Sequence, residues 1–322
     1  MSCTRTTFAM TSALFAGSTL MAQGGTVNDS VVHFTSGPMT LEGTFTTPAR
    51  PGPWPAVVII AGSGPTDRNG NSPLGVNAST YALLARGLAE RGIASLRYDK
   101  RGLPSGRGTF DIRETTPHEF AADAAAAARL LAARSDIGPV AFLGHSEGGM
   151  LALLSARAGA PVQGLILVSA AGRDVTTILR EQLARQLSPA MLAQFDTAWS
   201  AYLKGDPFQP VPGLEALFVP VNRRFMQSWR DIQPVELLRG LTLPTLVVQG
   251  ETDVQITPED AAALRAARPD VKLVILPGVN HVLKPATGKT IQEQMAVYAD
   301  KNLPLAPAVV PALAEFVLTL RK

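Results

Sequence analysis

Val140-Ala141-Phe142-Leu143-Gly144-His145-Ser146-Glu147-Gly148-Gly149 is the stretch that decides the fold. The apolar run over 140–144 has the length of a buried strand. Residues 148–157 carry a helical apolar spacing that stops before Gly159. Between them stands G-x-S-x-G, so a strand must turn into a helix within a few residues. So tight a turn strains the serine backbone and exposes its hydroxyl, while glycines two residues to either side leave room for passing chain. The helix start then aims free N–H groups and its positive dipole end at any oxygen reacting there.

Working outward, strand and helix alternate. Upstream, Val31–Thr35 and Leu41–Thr46 read as a hairpin across Gly37-Pro38. Ala56–Ala61 is apolar on both faces, as a covered central strand requires, and runs into a glycine-rich loop from Gly62 to Gly75. A helix over Ser79–Arg91, a strand over Ile93–Tyr98 and an alanine-rich helix over His118–Ala133 follow. Downstream, Leu165–Ser169 is a strand. After an interruption, Thr245–Gln249 and Val271–Leu276 are strands, with helices at Pro258–Arg265 and Pro311–Leu320. This order predicts an α/β fold with a mostly parallel, doubly wound sheet. The interruption, 173–242, shows amphipathic helical stretches and no strand. It reads as a helical cap inserted at the sheet's edge. Leu183, Leu187, Leu192, Phe195, Trp199, Leu203, Phe208, Phe218, Phe225 and Trp229 would give it an apolar underside.

Composition narrows the function. The 322 residues are 46% hydrophobic and 17% charged, enough to bury a core without a staple. Net charge is +3 with no basic run, which gives nucleic-acid binding little support. The lone cysteine, Cys3, rules out an internal disulfide and multi-cysteine metal sites, and the four histidines have no metal-ligand spacing. Arg5, the short apolar run Phe8–Leu20 and the small residues before Gln23 read as a signal peptide over 1–22. The run is too short for a membrane span. Export to a periplasmic or extracellular space is the expectation, with 23–322 as the mature domain.

A serine hydroxyl needs a base. The histidine expected after the last strand is His281, and the acid expected after the preceding strand is Glu251 or Asp253. Asp253 is preferred, since the loop needs length to turn a carboxylate toward the imidazole; Thr257 is the better-placed cap for the following helix. His145 adjoins Ser146 in the chain, so its ring should point away and serve packing. Oxyanion donors are expected from the backbone N–H of Glu147 and of Ser63, with Gly64 in reserve. Pro65 has no N–H to give. Asp67 and Arg68 are expected to pair and hold the long loop still. Asp99 and Arg101 read as structural, and Glu147 as a locally paired side chain. The triad Ser146, Asp253, His281 predicts acyl transfer to water through an acyl-enzyme, with no cofactor and a small-molecule substrate.

The runs Ala61-Gly62-Ser63-Gly64-Pro65-Thr66-Asp67-Arg68-Asn69-Gly70-Asn71, Arg97-Tyr98-Asp99-Lys100-Arg101-Gly102 and Gly144-His145-Ser146-Glu147-Gly148-Gly149 together resemble the α/β-hydrolase superfamily. Within it they resemble a bacterial carboxylesterase group acting on short acyl chains, with serine aminopeptidase-like and acyl-CoA thioesterase-like hydrolases among its relatives. The resemblance covers nearly all of the mature chain and implies the α/β-hydrolase fold and an ester substrate. The rivals are a peptidase or amidase, for which Glu181, Glu215 or Glu236 would anchor an amine, an acyl-CoA thioesterase, and a non-catalytic binding protein with a relic site.

Overall fold

The structure is a computed structural model that describes residues 27–322; the expected signal peptide, with Cys3 and Arg5, lies outside the described residues. Its core is one twisted sheet of eight principal strands: β1 (Asn28–Ser36), β2 (Met39–Thr47), β3 (Trp54–Ile60), β4 (Ala94–Tyr98), β5 (Ile137–His145), β6 (Gly164–Val168), β7 (Thr245–Gly250) and β8 (Lys272–Leu276). The spatial order is β1-β2-β4-β3-β5-β6-β7-β8. β1 and β2 form the expected antiparallel hairpin, β2 meets β4 antiparallel, and every later pairing is parallel.

The residues of β3 from Ala56 to Ile60 and all of β6 are buried, which is why these two strands lack polar alternation, while β4 is buried with Ser95 and Arg97 among its covered side chains. Apolar clusters cover both faces. One holds Val58, Phe142, Leu151 and Leu167 under α2 (Pro117–Ala132) and α3 (Glu147–Arg157). The other holds Val57, Leu143, Ile166 and Val248 under α1 (Thr80–Ala89) and α10 (Val309–Thr319). α2 begins where Thr116 and Glu119 build a capping box, with Pro117 at the first helical position.

Residues 173–242 form α4 (Val175–Ala184), α5 (Pro189–Lys204), α6 (Arg223–Arg230) and α7 (Pro234–Arg239). The segment does not sit at a lateral edge. It leaves β6 and returns to β7, which are adjacent interior strands, and so departs from their carboxyl-terminal side. Phe195, Trp199, Tyr202, Leu203 and Phe218 give it a core of its own, while Ile232 and Leu238 join the core of the body. Buried Asp260, in α8 (Pro258–Ala267), accepts the amides of Gly172 and Arg173 and pairs with the Arg173 guanidinium, fixing the start of the insertion. Past β8 the chain adds α9 (Ile291–Ala299), which the sequence reading missed.

Candidate active site

Ser146 joins β5 directly to α3 and has φ 56° and ψ −123°, a conformation L side chains rarely adopt. The glycine pattern around it follows from close approach. A Cβ at Gly144 would lie 2.2 Å from the Gly148 carbonyl oxygen, and one at Gly148 would lie 2.2 Å from that of Ile60. The turn thus presses against the end of β3, which brings the loop at Gly62 over the serine. A Cβ at Gly62 would be 3.2 Å from Ser146 Cβ.

His281 lies on the loop after β8 and is buried. Its Nδ1 is 2.8 Å from Asp253 Oδ2. A carboxylate only accepts, so Nδ1 carries the proton and Nε2 keeps a free lone pair. Asp253 Oδ1 accepts the amides of Gln255 and Ile256 at 2.9 and 3.0 Å. Burial would raise the Asp253 carboxyl, but the imidazole beside it and these amides outweigh burial and hold it below the usual carboxylate range. Glu251 is exposed and accepts the Gly278 amide at 3.1 Å, away from the imidazole. Thr257 occupies the first cap position of α8 without a side-chain cap bond. The loop bearing His281 is drawn tight. Lys284 N–H donates to Asn280 Oδ1 at 3.0 Å, and the fully buried Lys284 ammonium donates to the Asp300 carbonyl at 2.6 Å.

Ser146 and His281 border one small cavity of about 90 Å³. No hydrogen bond joins Ser146 Oγ to the imidazole among the described residues, a contact that commonly tightens only when substrate binds. On its other side Ser146 opens into a cavity of about 610 Å³ shared with Ser63, Gly64 and Glu147. Phe110, Phe120, Trp199, Phe225 and Trp229 wall it. The apolar residues expected beneath the insertion therefore divide. Phe225 and Trp229 face the cavity, Trp199 both borders it and packs in the insertion's own core, and Phe195, Leu203 and Phe218 fill that core, with Leu183, Leu192 and Phe208 against it. Leu187 is half-buried. The amides of Ser63 and Glu147 make no hydrogen bond within the described residues, as oxyanion donors require.

Two expectations need correction. Asp67 and Arg68 do not pair. Asp67 closes its own turn by accepting the amides of Asn69 and Asn71, both at 2.8 Å, and Arg68 reaches Glu42 and Asp99. The turn over 67–70 folds the Asp67 carboxylate inward onto its own backbone amides, which leaves the Arg68 guanidinium to find carboxylates elsewhere. His145 is also more than packing. Its Nε2 lies 2.8 Å from the His281 carbonyl oxygen, which only accepts, so Nε2 carries the proton. Nδ1 must then accept from Tyr81 Oη at 2.9 Å, and Tyr81 Oη in turn accepts the Gly62 amide at 2.9 Å. This buried chain of hydrogen bonds links the oxyanion loop, the serine turn and the base loop. Burial first, and the nearby His281 second, push the His145 imidazole down to about 3, so it is a neutral ring at ordinary pH.

A strained serine on a strand–helix turn, sharing a cavity with a carboxylate-held histidine at the carboxyl ends of parallel strands, is the arrangement of an α/β hydrolase. The chain belongs to that family: the family profile described as "Alpha/beta hydrolase family" matches residues 57–286. It is 28% identical to Esterase EstD of Thermotoga maritima over 253 residues, 78% of this chain. It spans 60% of that relative's length. Among solved structures, Est1E from Butyrivibrio proteoclasticus with ferulic acid bound superposes with a TM-score of 0.57 at 18% identity, over 89% of this chain and 98% of that one. Proline iminopeptidase of Mycobacterium smegmatis gives a TM-score of 0.57 at 20% identity, over 90% and 99%. These two likenesses establish the fold.

Proposed function

We propose that the protein is a serine carboxylic ester hydrolase. The observation that carries this reading is the pairing of a strained, cavity-facing Ser146 with an imidazole whose basic nitrogen is left free by Asp253. His281 takes the Ser146 proton as Oγ attacks the ester carbonyl. The Ser63 and Glu147 amides receive the negative oxygen, and His281 returns the proton to the departing alcohol. Water repeats the cycle and frees the acid. The name of the Thermotoga relative agrees with this chemistry.

The cavity supports an apolar acyl group. Short chains enter it, and about 610 Å³ walled by aromatic rings leaves room for longer or aromatic ones. A peptidase acting on a free amine has weaker support. The acid bordering the cavity is Glu147, which is paired with Lys100. Of the three acids the sequence offered as anchors, Glu181 pairs with Arg173, Glu236 with Arg239, and Glu215 accepts the Gly213 amide. Export remains the reading of the N-terminal pattern, and it disfavours acyl-CoA, a cytoplasmic substrate.

The test compares p-nitrophenyl acetate, butyrate and octanoate with aminoacyl p-nitroanilides. Ester turnover should dominate, and Ser146→Ala should lose about 10⁵-fold or more of kcat and all labelling by a fluorophosphonate while melting as the parent does. Anilide turnover exceeding ester turnover would replace this reading with an amidase.

A further inference from the structure

We infer that Lys100 is a positioning residue for the oxyanion site, an assignment that rests on the hydrolase reading above. Lys100 follows β4 and is buried, as is Glu147. Its ammonium has three protons and three receivers. Nζ lies 3.0 Å from the Gly62 carbonyl oxygen, 2.9 Å from Glu147 Oε1 and 4.8 Å from the centre of the Phe120 ring.

The Gly62 carbonyl and the Ser63 N–H are two ends of one peptide group. In a trans peptide they point opposite ways. A cation holding the oxygen therefore sets the direction of the N–H, and by drawing electron density it makes that N–H a stronger donor. The same ammonium grips the side chain of Glu147, whose backbone N–H is the other donor. One buried charge just past β4 thus ties together the loop after β3 and the start of α3, the two separate segments that carry the donors. Tyr81 Oη accepts the Gly62 amide at 2.9 Å and steadies the neighbouring peptide. The pair is neutral as a whole, so it adds no net charge to the apolar cavity it borders.

The experiment uses Lys100→Met and the double variant Lys100→Met/Glu147→Gln, which leaves no unpaired buried charge and keeps the test open if the single variant does not fold. Each is assayed with p-nitrophenyl butyrate, by thermal melting, and with a trifluoromethyl ketone that forms a tetrahedral adduct on the serine. Loss of a whole oxyanion donor costs about 100- to 1000-fold, so a donor left in place but unaimed should cost about 10- to 100-fold in kcat. KM should stay within about threefold, because ground-state binding barely uses these amides. Affinity for the ketone should fall in step with kcat. A folded double variant with kcat and ketone affinity within about threefold of the parent would overturn the assignment and leave Lys100 a packing cation. A parent protein with no ester turnover would instead remove the reading beneath it.

Discussion

Replacing Asp253 by Asn tests the site through a single atom. Asp253 Oδ1 receives two backbone amides, from Gln255 and Ile256, and Oδ2 faces His281 Nδ1. An asparagine has one oxygen. Turning that oxygen toward the two amides keeps both bonds and sets the NH₂ against Nδ1. The opposite choice would face N–H against two N–H groups in a fully buried place, costing about 1–3 kcal/mol for each donor left unpaired. The first orientation wins, and its NH₂ can only donate, so Nδ1 must become the acceptor. The proton moves to Nε2, which then cannot take one from Ser146. Holding the wrong tautomer costs about 10,000-fold in kcat, or about 5.5 kcal/mol of barrier. The assay is p-nitrophenyl butyrate hydrolysis, with a thermal melt to show that Asp253→Asn is folded and Glu251→Gln as a comparison. Among the described residues the side chain of the exposed Glu251 bonds only the Gly278 amide, so its variant should stay within a few-fold of the parent. If Asp253→Asn kept a tenth of the activity while Glu251→Gln lost most of it, the assigned acid would be wrong.

Two other substitutions probe the scaffold around these atoms. His145 binds its proton near pH 3 when folded and near 6.5 when unfolded, so the stability it lends is complete above pH 6.5 and drains as pH falls toward 3. The slope is at most about 1.4 kcal/mol per pH unit; urea midpoints between pH 6.5 and 4.5 should fall less steeply for His145→Gln than for the parent, and equal slopes would contradict the neutral-ring assignment. In Gly148→Ala the new methyl would meet the carbonyl oxygens of Ile60 and Ala61 at 2.2 and 2.8 Å. It should lower stability by about 1–3 kcal/mol and lower kcat as well, by pushing the oxyanion loop off the serine; an unchanged melt and rate would show that the turn has slack.

What the sequence discloses follows the reach of local patterns. The sheet was readable because β3, β5 and β6 are apolar on both faces and each is followed by a punctuated helix or loop. Ser146 was readable because its turn dictates glycines at fixed offsets. α9 was overlooked although Thr290 and Glu293 spell a capping box, since Ile291–Ala299 buries little and its apolar signal is faint. Lys100, Tyr81 and His145 carry no local mark of their tasks. Their partners lie 38, 19 and 136 residues away along the chain, at Gly62 for the first two and His281 for the third. The Asp67–Arg68 error has the same origin: opposite charges side by side invite pairing on paper, while Glu42 and Asp99 offer Arg68 better geometry in space.

The insertion's private core has an evolutionary corollary. Because Phe195, Tyr202 and Phe218 brace one another rather than the strands, descendants of this chain can rebuild the roof by mutation without disturbing the reacting atoms. Appetite for new molecules and the power to break them are thereby free to drift on separate clocks. Hybrids that graft a foreign 174–222 segment, leaving Arg173, Ile232 and Leu238 to the body, should inherit the donor's tastes and the recipient's turnover.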